Sequence, residues 1–242
     1  SENAIDIIKK SDPPLLVERS RIDHIKPGNL DDDFNEIKDA DWVIEAVVER
    51  IDIKHKLYSQ IDKVRSPNSI ISSNTSTIPL SILTQEMSDS MKADFCITHF
   101  FNPVRFMRLL EIVETPTMNK DKMGGLRDFC KNELGKGIVN CNDTPGFIGN
   151  RIGVYAMQVA MYEALERGLP VEIADALFGR PLGIPKTGVF GLYDLIGIDL
   201  MKDVLASFKK ELQENDPFMD VVKPHPLVEQ LLEKGFNGNK GP

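Results

Sequence analysis

The 242-residue chain suffices for one large domain or two smaller ones, since single domains cluster at roughly 100 to 150 residues. Its 41% hydrophobic and 27% charged residues are those of an ordinary water-soluble protein, and no apolar run approaches the roughly 20 residues that a membrane-spanning helix requires. A net charge of -8 speaks against nonspecific binding to nucleic acid or anionic membrane, and the scattered Cys96, Cys130 and Cys141, with no CxxC pair, suit a reducing cytoplasm better than a disulfide framework or zinc knuckle.

Residues 1–10 read as the tail of a helix. Asp41 to Glu49 form a β-branched apolar run with little polar alternation, the pattern of a strand buried on both faces of a parallel sheet. Ile53, Leu57, Ile61 and Val64 then recur at three- and four-residue steps, which predicts a helix with that apolar face. Ser69 to Ser73 follow as another short buried strand and complete a β-α-β unit. Further strands are predicted at Phe95 to His99, Leu109 to Val113 and Gly137 to Cys141, with a helix over Lys122 to Leu134 before the last. This alternation indicates an α/β sheet.

The texture changes at Asp143-Thr144-Pro145-Gly146-Phe147, where a capping side chain and a proline predict the start of a long helix. Ile148, Ile152, Tyr155, Val159 and Tyr162 keep helical spacing as its apolar stripe until Gly168, a residue suited to a C-terminal cap. Val171 to Phe178 and Leu195 to Leu212 read as further helices, joined by the Gly/Pro-rich stretch from Gly179 to Gly191, and no strand is predicted after Gly168. The expected boundary lies near residue 143, between an α/β domain over residues 1–143 and an all-α domain over residues 144–242. The opening Ser1-Glu2-Asn3 and the Gly-rich close from Gly235 to Pro242 read as those of a segment cut from a longer polypeptide.

The stretch richest in chemistry is Thr98-His99-Phe100-Phe101-Asn102-Pro103, which puts a histidine at the C-terminal end of a predicted strand, the edge where open α/β sheets bind ligands. An imidazole exchanges protons near neutral pH and is a natural base for an alcohol being oxidised. Glu111, twelve residues on within the apolar run Leu109 to Val113, needs a partner if buried, and a bond to His99 would serve both groups. On the residues alone, a structural histidine and an exposed Glu111 compete equally with this reading, because spacing cannot show that two side chains meet.

Ser72-Ser73-Asn74-Thr75-Ser76 ends another strand with small hydrogen-bonding groups, able to bind a carbonyl, an amide or a ribose, or simply to form a turn. Asn150, on the flank of the long helix's stripe, could face a ligand, cap the helix or pack between domains. Glu45, Glu49 and Lys54 could meet a dinucleotide's ribose and charge at a strand end, or form an ordinary ion pair. His24, His55 and His225 are scattered singly, so no metal site is indicated.

Taken together, these stretches resemble the 3-hydroxyacyl-CoA dehydrogenase family of fatty-acid β-oxidation. The likeness runs through Asp41 to Lys54, Ser73 to Ser76, His99 to Pro103, Leu109 to Val113, Asp143 to Arg151 and Gly191 to Asp199, and the order and spacing of these motifs make it specific. The resemblance implies a Rossmann-type NAD-binding domain followed by a helical substrate and dimerisation domain, acting on (3S)-3-hydroxyacyl-CoA with NAD. It implies that His99 is the base, Glu111 its orienting carboxylate, and Ser76 and Asn150 the holders of the reacting oxygen. Glu49, Lys54, Ser76 and Asn102, with Lys240 near the chain's end, would contact the dinucleotide. One departure stands out: the family's strand and GxGxxG loop, which bind pyrophosphate, have no counterpart before Asp41. The expectation is therefore a Rossmann-type domain without its first β-α unit, whose alternative is a noncatalytic acyl-CoA-binding or dimerisation fragment.

Overall fold

The computed structural model describes residues 2–184, 186–223 and 225–240, with the backbone alone for Glu2 and Lys240. Two compact units divide the chain, residues 1–141 and 142–242. The first opens with α1 (Glu2–Lys10) and two 3-10 turns, Arg19–His24 and Phe34–Asp39. There follow β1 (Trp42–Glu45), α2 (Ile51–Val64), β2 (Ile70–Ser73), the single-turn helices α3 (Leu80–Leu83) and α4 (Asp89–Lys92), β3 (Phe95–Phe100), β4 (Leu109–Glu114), α5 (Lys120–Asn132) and β5 (Gly137–Asn140).

The five strands lie side by side in chain order. β1, β2 and β3 are parallel, as are β4 and β5, because helices return the chain between them. Residues 101–108 are too few for such a crossover, so β3 and β4 pair antiparallel. Strand alternation then sorts the side chains. Ile70, Cys96, Leu110 and Ile112 pack with Met123, Leu126 and Cys130 of α5 on one face. On the other, Phe95 meets Tyr58 of α2 edge-on, with ring centroids 5.1 Å apart. His99 stands on the same side as Phe95, two steps of the pleat further on.

Two local expectations change here. The strand predicted over residues 41–49 stops at Glu45, whose own carboxylate accepts the Val47 amide at 2.7 Å and turns the chain out of the sheet. The buried side of α2 is formed by Lys54, Leu57, Tyr58 and Ile61 rather than by the stripe through Ile53 and Val64. The cause is Lys54, drawn inward by two bonds to Glu45 at 2.7 and 2.9 Å.

The second unit comprises α6 (Gly149–Glu166), α7 (Val171–Leu177), α8 (Phe190–Ile196), α9 (Ile198–Glu211) and α10 (Pro226–Glu233), with 3-10 turns among them and no strand in its described residues. Val154, Met161, Tyr193, Met201, Phe208 and Phe218 build its core. α6 begins after the predicted Pro145 because Gly146 and Phe147 hold left-handed φ values of 72° and 48°, which a right-handed helix cannot contain. Of the stripe read from spacing, Ile148, Ile152, Tyr155 and Val159 are exposed, while its last member, Tyr162, packs against the core. α6 is apolar on more than one side, and the core takes Val154, Ala160 and Met161 instead. The single helix predicted over Leu195 to Leu212 is broken at Gly197, whose φ of 104° ends α8 and starts α9.

Candidate active site

His99 and Glu111 are direct partners across β3 and β4, so the antiparallel register brings together two residues separated by the 101–108 connection. The His99 Nδ1 lies 2.7 Å from Oε2 of Glu111; the histidine is 4% exposed and the glutamate 0%. A carboxylate only accepts, so Nδ1 carries the proton it donates and the ring's basic lone pair falls on Nε2. The Phe101 ring lies against the imidazole, with centroids 4.5 Å apart.

At the ends of β1 and β2 a second charged cluster is almost wholly enclosed. Glu45 accepts bonds from Lys54 Nζ, from the Tyr58 hydroxyl at 2.6 Å and from the Ser73 hydroxyl at 2.6 Å. Burial and the neighbouring Glu45 push the Tyr58 phenol far above its ordinary range, so it stays a neutral donor. Lys54 Nζ also lies 3.2 Å from Glu49, whose Oε1 accepts the Thr75 hydroxyl and the amides of Ser76 and Thr77. Burial pushes the Glu49 carboxyl up, but the Thr75 hydroxyl and the Lys54 charge outweigh it and hold the group below the usual carboxylate range. The Ser72–Ser76 turn is thus folded around a glutamate. Asn74 ties β2 to β3 by accepting the Phe100 amide at 2.9 Å.

Of the other expected residues, Ser76 is partly exposed on this turn and Asn102 is exposed just beyond β3. Lys54 is 1% exposed, and its ammonium is paired with Glu45 and with the partly exposed Glu49. Asn150 belongs to the second unit, as the second residue of α6. Lys240 closes the 3-10 turn Gly238–Lys240, and its side chain lies outside the described residues. Sequence reasoning passed over Tyr58, Ser73 as a glutamate ligand, and Cys141, whose thiol stands 3.6 Å from Glu111 Oε1. Among the described residues no group of three or more His, Cys, Asp or Glu could hold a metal, and no helix is long and apolar enough to cross a membrane.

A sheet of this topology carrying a buried His–Glu pair, followed in the chain by a helical unit, defines a two-domain protein of Rossmann type. The family model for the NAD binding domain of 3-hydroxyacyl-CoA dehydrogenase matches residues 4–144, and that for its C-terminal domain matches residues 146–242. The chain belongs to the 3-hydroxyacyl-CoA dehydrogenase family.

It is 40% identical over 240 residues to a Rickettsia felis protein assigned as a trifunctional enzyme of the fatty acid oxidation complex, covering 99% of this chain and 33% of the relative. Against the mitochondrial hydroxyacyl-coenzyme A dehydrogenase of Rattus norvegicus it is 34% identical, covering 84% of this chain and 62% of that one. The crystal structure of Mycobacterium tuberculosis FadB2 superposes with a TM-score of 0.79 at 29% identity, over 99% of this chain and 79% of that one. The chain spans about a third of the length of the Rickettsia relatives, at 33% of each.

Proposed function

We propose that the protein oxidises (3S)-3-hydroxyacyl-CoA to 3-ketoacyl-CoA with NAD, as a step of fatty-acid β-oxidation. The observation that carries this is the His99–Glu111 bond of 2.7 Å at the carboxyl end of β3. His99 takes the substrate's hydroxyl proton at Nε2 as the base, and Glu111 stabilises the imidazolium so formed. Ser76 and Asn150 hold the reacting oxygen by hydrogen bonds.

The residues present fit NAD at the carboxyl edge of the parallel strands. Glu49, with 36% of its side chain exposed, offers an acceptor for ribose hydroxyls, and Ser76 and Asn102 offer a hydroxyl and an amide. Lys54 holds Glu49 in place, and Lys240 is a further contact. NAD, when bound, supplies the hydride acceptor.

In this reading residues 1–143 bind NAD, and residues 144–242 receive the acyl-CoA and join two copies in a homodimer, working in the cytoplasm. The exposed α6 stripe of Ile148, Ile152, Tyr155 and Val159 supports the homodimer, since contiguous apolar surface marks contact sites. Supplying the protein with NAD and (3S)-3-hydroxybutyryl-CoA tests the activity. NADH absorbance should grow with the (3S) epimer and not the (3R) epimer; no growth with either would reject the assignment.

A further inference from the structure

The carboxylate of Glu111 turns on a broad torsion, so its orientation depends on what each oxygen touches. Oε2 faces His99, while Oε1 lies 3.6 Å from the Cys141 sulfur. The register explains this approach. Glu111 pairs with Val139 across β4 and β5, and Cys141 is two residues on, hence on the same side of the pleat. A sheet-like bond from the Cys141 amide to the Ile112 carbonyl, 2.9 Å long, keeps it in that line. The thiol has one proton, and both Oε1 and the Val139 carbonyl at 3.8 Å lie within its reach. A carboxylate is the stronger acceptor of the two and also the nearer.

We propose that Cys141 is a positioning residue: its thiol donates to Oε1 of Glu111 and fixes the rotation that presents Oε2 to the imidazole. The proposal rests on the reading of His99 and Glu111 as base and orienting carboxylate. A thiol suits this place because it donates without adding charge, leaving the carboxylate free to stabilise the imidazolium. Cys96 and Cys130, the chain's other thiols, belong to the α5 face of the sheet.

The infrared S–H stretch tests the contact, and the band that C141S removes belongs to Cys141. In E111Q the acceptor is neutral, and that band moves to higher frequency. In proton NMR, the resonance of the His99 Nδ1 proton moves in C141A and returns toward its wild-type position in C141S, because a hydroxyl donates where the thiol did. A Cys141 band indifferent to E111Q, or a His99 resonance unmoved by C141A, overturns the proposal. Neither readout needs turnover. In the oxidation assay C141A lowers kcat by about three- to tenfold with KM unchanged, as expected for a bond that matters in the transition state. Spectra that move as described, with no turnover even in the wild type, would overturn the dehydrogenase assignment and not this contact.

Discussion

His99 and Glu111 occupy facing positions on antiparallel strands, their side chains joined by a 2.7 Å bond and almost closed to solvent. Such a pair can stabilise charge on the ring only while the carboxylate is negative. Glu111→Gln keeps the shape and removes the charge, so kcat is expected to fall by about 100-fold or more, within the range of general-base contributions. Steady-state kinetics check this, and KM should stay close to the wild-type value because substrate does not touch Glu111.

Lys54 and Glu45 form a buried ion pair, with side-chain exposures of 1% and 0%. Removing one partner strands the other charge in the interior. Lys54→Met is therefore expected to cost about 3 to 5 kcal/mol of unfolding free energy, measured by urea titration. The loss should shrink in the double variant with Glu45→Gln, where the fully buried carboxylate is no longer left charged and unpaired and only the partly exposed Glu49 loses its lysine. A Lys54→Met protein as stable as wild type would show that the network contributes nothing.

The Glu49 carboxyl is held below its ordinary range in the folded protein, so the unfolded chain binds this proton more readily. Its contribution to stability is complete above about pH 4.3 and is lost as pH falls through the lower folded value. Unfolding experiments between about pH 5 and 3 should show this decline. In Thr75→Val, which removes the hydroxyl bond to Glu49, the decline should be shallower.

Gly146 combines a φ of +72° with a close approach in which an added Cβ would stand 2.3 Å from the Phe208 ring. Gly146→Ala thus meets both backbone strain and overpacking, for an expected loss of roughly 2 to 4 kcal/mol, measured by denaturant unfolding. Gly153 has open space around its Cβ position and lies within α6, so Gly153→Ala should be neutral or stabilising in the same measurement.

The strand pattern was legible because apolar β-branched runs mark buried strands, and His99 and Glu111 could be picked out as polar groups inside two of them. What joins them was not legible, since the antiparallel turn from β3 to β4 depends on the short 101–108 connection rather than on any residue's preference. Lys54 shows the opposite difficulty. A lysine at the start of a helix reads as a surface charge, and only the position of Glu45 at the end of β1 makes its burial intelligible. In α6, apolar residues surround so much of the helix that periodicity could not tell the core side from the exposed stripe. Cys141 gave no signal as a site residue, because its nearness to Glu111 is created by the β4–β5 register.

The account is tested most directly by His99→Gln, measured as kcat for (3S)-3-hydroxybutyryl-CoA oxidation alongside NADH binding. Turnover is expected to drop by about two to four orders of magnitude while NADH affinity stays at the wild-type value. Near-normal turnover in His99→Gln would contradict the assignment of this imidazole as the base.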